Sequence, residues 1–310
     1  GPSPATRHYM ETLAGDTSIG HAVSYAQVLE ALSGTKCHPR AEALRSVALE
    51  LERLANHIGD LGALAGDVGY LPTASFNGRI RGELLNCSAL LCGSRFGRNF
   101  IKAGGMGFDA DEARITELLA RLDKNYKDSR ESIELLWNTP SVMARFEDTG
   151  RLSSGQAREM GIVGPAARAC GLARDIRYTH PSGMYSFRQI PVSTCETGDV
   201  QARAYVRWLE IQQSFAFLRG LLGEMPRGPV AAATLRPQKE SMAVALTEGW
   251  RGEICHVAIT NAEGKFSRYK VVDPSFHNWT ALALVLRNQE ISDFPLCNKS
   301  FNLSYCGHDL

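Results

Sequence analysis

The sequence predicts a mainly α-helical chain, a helical bundle, with a small β-hairpin element in its C-terminal third. Three observations carry that expectation. Apolar residues recur at helical spacing along long stretches of the first two-thirds, a Pro/Gly-rich stop closes the last of them, and beyond it the pattern changes to alternation.

From Pro39, the positions Leu44, Val47, Leu51, Leu54, Ile58 and Leu61 step by three and four residues, one apolar face of a long helix entered through a proline. Its other face carries Glu42, Arg45, Glu52 and Arg53. A second helix begins at about Asp111, where Ile115, Leu118, Leu119 and Leu122 interleave with Glu117, Arg121, Asp123 and Lys124 as a solvated face. A third runs from about Val200 to Leu222 and stops before Met225-Pro226-Arg227-Gly228-Pro229. After that stop, Ile254, His256 and Ala258 alternate, Phe266 to Val272 is rich in β-formers, and Asn261-Ala262-Glu263-Gly264 between them reads as a hairpin turn. A helix over about Trp279 to Gln289 follows, and Ile291 to Leu310 reads as an irregular tail. There is no internal repeat and no linker, so residues 1–245 as a helical bundle and 246–310 as hairpin, helix and tail are expected to form one structural unit.

Composition narrows the function classes. In 310 residues, 44% are hydrophobic and 22% charged, which excludes a disordered chain. Thirty-four basic against 33 acidic side chains leave a formal charge of +1 with no basic stripe, so nucleic acid is not an expected partner. The apolar runs Leu61 to Ala65 and Ala281 to Leu286 are far shorter than the roughly 18 to 20 residues of a membrane span. No basic segment followed by an apolar run opens the sequence, so secretion is not indicated. Eight cysteines lie scattered without any C-x-x-C pair, as expected for reduced thiols in a cytosolic setting. Gly104-Gly105-Met106-Gly107 lacks a preceding strand and a following G-K-[ST], so it does not read as a phosphate loop. Ser153 and Ser154 have no placed His/Asp partners, so a hydrolase triad has no support.

Six motifs then occur in a telling order. Pro39-Arg40-Ala41 leads into Leu49-Glu50-Leu51-Glu52-Arg53-Leu54-Ala55-Asn56-His57 and Ala65-Gly66-Asp67-Val68-Gly69; next come Gly161-Ile162-Val163-Gly164-Pro165 with Arg168, Gly171, Arg174-Asp175, Arg177 and Pro181. Gly198-Asp199 with Arg203, Arg207 and Glu210 follows, then Met225-Pro226-Arg227-Gly228-Pro229, Trp250-Arg251-Gly252-Glu253 and Asp293-Phe294-Pro295-Leu296. The series resembles the large subunit of nickel-iron hydrogenases and the forty-nine-kilodalton subunit of respiratory complex I over nearly the whole chain. It is most similar to the membrane-bound, energy-converting members of the formate hydrogenlyase and hydrogenase-4 type.

The resemblance implies the large-subunit fold and an oxidoreductase complex. Its partners would be a small iron-sulfur subunit, another hydrophilic-arm subunit and antiporter-like membrane subunits, with this chain peripheral on the cytoplasmic face of the cytoplasmic membrane. In the hydrogenases, two C-x-x-C pairs hold nickel and iron through soft thiolates. Those positions fall here on Ala14 and Thr17, and on Ser304 and Gly307, with Cys306 one residue out of step. A nickel-iron centre is therefore not expected, and no cofactor is assigned to the chain itself. In complex I the same scaffold carries a quinone site beside a partner's iron-sulfur cluster, and its aspartate matches Asp67; its tyrosine aligns with Gly15.

The resemblance thus implies a quinone or small-acceptor cavity with Asp67, His21 and Arg251 in catalytic roles and Asp16, Thr17 and Ser304 binding the acceptor. A quinone oxygen needs a donor within hydrogen-bond reach as charge develops on it. Arg168, Arg174, Asp175 and Arg177 read instead as a structural ion network or a subunit contact. Two other readings stay open: a non-catalytic scaffold subunit of such a complex, and a hydrogenase that holds nickel through Cys306 and further ligands.

Overall fold

The computed structural model describes residues 4–233 and 235–310. In chain order the helices α1 (Pro4–Met10), α2 (Ser18–Ser33), α3 (Pro39–Asp67) and α4 (Leu71–Cys92) precede a two-stranded ribbon, β1 (Ile101–Lys102) and β2 (Gly105–Met106). Helices α5 (Glu112–Trp137), α6 (Pro140–Phe146), α7 (Ser154–Glu159), α8 (Gly164–Arg168), α9 (Ile176–Thr179) and α10 (Val200–Gly223) follow. The C-terminal part holds β3 (Met242–Gly249), β4 (Gly252–Thr260), β5 (Phe266–Val272), α11 (Pro274–Val285), α12 (Phe294–Phe301) and α13 (Tyr305–His308).

Helix α3 is the axis of the molecule. Pro39 stands at its start, where a missing N–H costs nothing, and its 29 residues span about 43 Å. Helices α4 and α10 pack along it, and α12 closes over its C-terminal half. Leu44, Val47, Leu51, Leu54, Ile58 and Leu61 are all completely buried, as their spacing predicts. The charged face is not a solvent face, however: Arg45, Glu50, Arg53 and Asp60 are buried too, each in ion pairs, because α3 is covered all round.

The helices expected from Asp111 and from Val200 are present, and each has an aspartate cap. Asp111 accepts from the Arg114 N–H, and Asp199 accepts from the Ala202 N–H. The expected hairpin is β4–β5, pairing Cys255 with Val272 and Ala258 with Tyr269 around the Asn261–Gly264 turn, whose Gly264 has φ +73°.

The expected hairpin carries one more strand, β3, giving a three-stranded antiparallel sheet in the order β3-β4-β5; two other expectations, on the helix and the tail that follow, are corrected. Met242 to Leu246 is apolar at every position, so no alternation marks it as a strand. The helix expected over Trp279 to Gln289 begins earlier, at Pro274 behind an Asp273 cap that accepts from the Ser275 N–H, and ends at Val285. The tail is not irregular: α12 starts at Phe294 with Pro295 in its first turn, Asn302 ends it in the left-handed region at φ +46°, and Ser304 caps α13.

The glycine-rich Gly104–Gly107 segment has a packing role. Gly105 bridges Ala231, and a Cβ there would lie 2.0 Å from the Val230 carbonyl oxygen.

Candidate functional site

Arg251 stands in the two-residue turn, Trp250-Arg251, that joins β3 to β4 where Gly249 pairs with Gly252. Two sequence motifs meet there. Gly164, at φ +68°, comes so close that a Cβ on it would lie 2.0 Å from the Arg251 carbonyl oxygen; a Cβ on Gly252, at φ +135°, would lie 2.8 Å from the Gly164 Cα. Only glycine satisfies both the backbone conformation and the approach, so the Gly161–Pro165 and Trp250–Glu253 motifs jointly fix the turn.

From that turn the Arg251 side chain ties the two ends of the chain together. Nη1 donates to the Gly15 carbonyl (2.7 Å) and to Thr17 Oγ1 (3.0 Å), while Nε donates to the Asn302 carbonyl (2.5 Å). The guanidinium lies 3.9 Å above the Trp250 ring centre, and the Trp250 Nε1–H donates to the Asp16 carbonyl (3.0 Å). Asn302 Nδ2 donates in turn to Asp60, whose other oxygen accepts from Arg207 Nε. Burial lowers the Arg251 guanidinium below its usual range, against the pull of Asp273 and Asp60.

His21 is completely buried one layer away. Its Nε2 lies 3.0 Å from Asp273 Oδ2, and its Nδ1 lies 3.0 Å from His256 Nε2; the Nδ1 of His256 lies 2.8 Å from the Tyr269 hydroxyl. The other Asp273 oxygen accepts from the Ser275 N–H and lies against Gly307, where a Cβ would be 2.7 Å from it. Sequence reasoning missed Asp273, His256 and Asp60. Asp273 stands before a proline as an ordinary helix cap, His256 occupies one alternating strand position, and Asp60 is one polar residue on a long helix, so no spacing signalled them.

The other predicted residues divide. Thr17 joins the Arg251 centre directly. Ser304 is buried beside it, its hydroxyl accepting from the Gly307 N–H and its N–H donating to Ser275 Oγ. Asp16 contributes its carbonyl, whereas its exposed carboxylate turns outward to Arg81 (3.4 Å) from a backbone at φ +57°. Asp67 is not part of the centre. It is exposed at the end of α3, where burial of its surroundings raises its carboxyl and Lys299 on α12 lowers it. Lys299 precedes Asn302 by about one helical turn on α12.

The four residues that the resemblance sets at the hydrogenase ligand positions do not offer donors that suit nickel. Ala14 and Gly307 offer no side-chain ligand, the Thr17 hydroxyl is engaged by Arg251, and the Ser304 hydroxyl caps α13. Cys306 is exposed, with Sγ 3.3 Å from Ser304 Oγ. Among the described residues, no group of three or more His, Cys, Asp or Glu side chains is placed to hold a metal ion.

Behind Trp250 lies a buried ion cluster. Glu210 accepts from Arg168 Nε and lies 2.9 Å from His57 Nε2; Arg168 also reaches Glu248 (2.8 Å) and Asp175 (3.6 Å). Arg177 pairs with Asp175 and Glu50, and Glu50 also takes Arg53, the Tyr185 hydroxyl and the Ser214 hydroxyl. The His57 ring meets Trp250 edge-on at 6.5 Å. Of the four residues expected in an ion network, Arg168, Asp175 and Arg177 are in it and Arg174 is exposed. Burial opposes ionisation throughout, yet Arg168 holds Glu210 well below the usual carboxylate range, and Arg177 holds Asp175 down at about 2. Glu248 goes the other way: burial, reinforced by Asp175, pushes it up to about 7.

Residues 67–245 match the family of the respiratory-chain NADH dehydrogenase 49 Kd subunit, more than half of the chain. The chain belongs to that family. Within the family and its relatives, it is 32% identical over 286 residues to the carbon monoxide-induced hydrogenase of Rhodospirillum rubrum, covering 92% of this chain and 79% of that protein. It is 30% identical over 279 residues to an NADH-quinone oxidoreductase subunit of Herpetosiphon aurantiacus, covering 87% of this chain and 75% of that one. Formate hydrogenlyase subunit 5 of Escherichia coli is 27% identical over 297 residues, with 95% of this chain but 52% of that protein covered. This 49 Kd-subunit homologue is therefore a large-subunit relative from complex-I-like and membrane-bound hydrogenase assemblies, in line with the resemblance in its motifs. Among its described residues, no helix is long and apolar enough to cross a membrane.

Proposed function

We propose that this chain works as the large subunit of a membrane-associated oxidoreductase, in which the Arg251 centre receives a quinone or similar carbonyl acceptor beside an iron-sulfur cluster held by a partner subunit. The observation that carries the reading is the position of Arg251. One buried cation joins the Gly15–Thr17 loop to Asn302, at the place where the resemblance puts the family's redox centre. Nη2 has no hydrogen-bond partner among the described residues, so a donor remains for an acceptor oxygen as negative charge develops on it.

In this reading Arg251 and Thr17 contact the acceptor, Asp16 and Ser304 shape the two loops, His21 supplies protons from behind, and Asp67 acts at the rim of α12. The chain would sit on the cytoplasmic face of the membrane with its iron-sulfur, hydrophilic-arm and antiporter-like partners. A quinone fits the donors present; a nickel-iron centre does not, so no step runs through one. Labelling of the assembled complex with a photoreactive quinone analogue tests the assignment. The reading expects labelled peptides containing residues 14–21 or 302–307, and label confined to the partner subunits would refute it.

A second reading has its own support. Thr17 and the Asn302 carbonyl are already taken by Arg251, and the Ser304 hydroxyl by the Gly307 N–H, as they would be in a centre retained for its shape alone. In that case the chain is a scaffold for its partners, and the photoreactive analogue leaves it unlabelled.

A further inference from the structure

Four side chains form an unbroken hydrogen-bonded row whose inner end, Asp273, lies against Gly307. Asp273, His21 and His256 are completely buried, and Tyr269, at the other end, is half-buried on β5, the edge strand of the sheet. The three contacts, 3.0, 3.0 and 2.8 Å, are all within hydrogen-bonding range. From the geometry we propose that Tyr269, His256, His21 and Asp273 form a proton wire between the outer edge of the sheet and the loop of Ser304 and Gly307. The proposal rests on the acceptor reading for its destination, and on these contacts alone for its path.

The donor directions follow from chemistry. An ionised Asp273 can only accept, so the proton of its bond belongs to His21 Nε2. In the proposed wire His21 is the neutral imidazole, which accepts at Nδ1 from the Nε2–H of His256, while His256 accepts at Nδ1 from the Tyr269 hydroxyl. Burial holds His256 well below the usual imidazole range and so neutral, and the bonds from His21 and Ser275 hold Asp273 below the usual carboxylate range against its burial. All three protons thus point inward. In one passage Tyr269 gives its proton to His256 Nδ1, His256 Nε2 gives its proton to His21 Nδ1, and His21 Nε2 gives its proton to Asp273 Oδ2. Water restores the tyrosine proton, and Asp273 carries one proton at the inner end. Both imidazoles then hold the opposite tautomer, so the wire moves one proton before the rings must turn over or the passage reverse.

The charged and titratable groups facing the row are few. Arg251 faces Asp273, and Tyr25 on α2 packs at 6.2 Å against the Tyr269 ring with Cys255 near it. None of these interrupts the sequence of contacts. A separate buried row, Glu248–Arg168–Glu210–His57, is broken for this purpose by the guanidinium, which does not give up its proton.

The test reads the wire without turnover. In the full chain, nitrogen-15 NMR is expected to show both His21 and His256 protonated at Nε2 only. Transfer into heavy water should exchange those buried ring protons at least tenfold more slowly in Tyr269→Phe than in the native chain, with β4 backbone amides unchanged. Tyr25→Phe, which removes a neighbouring hydroxyl outside the row, should leave ring exchange as it was. A resting Nδ1 tautomer on either ring, or equal ring exchange in Tyr269→Phe, overturns the wire. Slowed exchange in a complex that reduces no acceptor would support the wire and end the acceptor reading; acceptor reduction with unslowed exchange would do the reverse.

Discussion

Arg251 Nη1 donates to Thr17 Oγ1 across 3.0 Å, joining a β-turn near the C-terminal end of the sequence to the loop that precedes α2. The contact places a cation against the loop proposed above to meet the acceptor. Thr17→Val keeps the shape and removes the acceptor, which should cost about 1 kcal/mol of stability. Chemical denaturation measures that loss. Turnover of the complex should fall several-fold, because the guanidinium is freed on one side.

Gly164 admits no side chain. Gly164→Ala would set a methyl against the Arg251 carbonyl in a left-handed backbone, and the two penalties together come to about 3 kcal/mol. The urea midpoint of the variant should drop accordingly. Gly15→Ala, where a Cβ meets nothing within 4 Å, is the control and should change the midpoint little.

The ion cluster predicts a definite pH dependence. Asp175 and Glu210 have lowered carboxyls, so their contribution is present above the usual carboxylate range and is lost as pH falls through their folded values. Glu248 and Glu52 are raised by burial to about 7, so theirs is present below the unfolded value and is lost as pH rises through about 7. Stability followed by urea unfolding should therefore peak in mildly acidic buffer and decline on both sides. The alkaline decline should be shallower in Glu248→Gln. Glu210→Ala, which leaves Arg168 buried without its main partner, should cost about 3–5 kcal/mol at any pH in that range.

Much of the centre was legible because two signals were local. The Trp250-Arg251-Gly252-Glu253 motif singles out Arg251, and the resemblance carried by the motifs singles out Thr17 and His21. What the sequence hid is set by contacts between distant segments. His256 and Tyr269 look like ordinary alternating strand residues until the sheet lays them against α2, and Asp273 looks like a cap because it is one. The apolar face of α3 was readable from its period, whereas burial of its charged face depends on which helices cover it. Met242–Leu246 lacked alternation, and the tail read as irregular carries Pro295 in the first turn of α12, where a proline is compatible with a helix.

Asp67 separates two roles. Its carboxylate is exposed with Lys299 as its neighbour, so Asp67→Ala should change the stability of the chain by less than about 0.5 kcal/mol. A loss of turnover in the assembled complex would then report a role at the rim of the centre, with thermal melting as the check that folding is intact.

The most direct test of the acceptor site is quinone-analogue reduction by the complex from native membranes, driven by reduced viologen, with Arg251→Ala compared with the native chain. The account predicts turnover lowered at least tenfold in the variant while the partner's iron-sulfur cluster is still reduced by viologen. Equal turnover in the two, with the cluster equally reducible, would contradict it and leave the chain a scaffold.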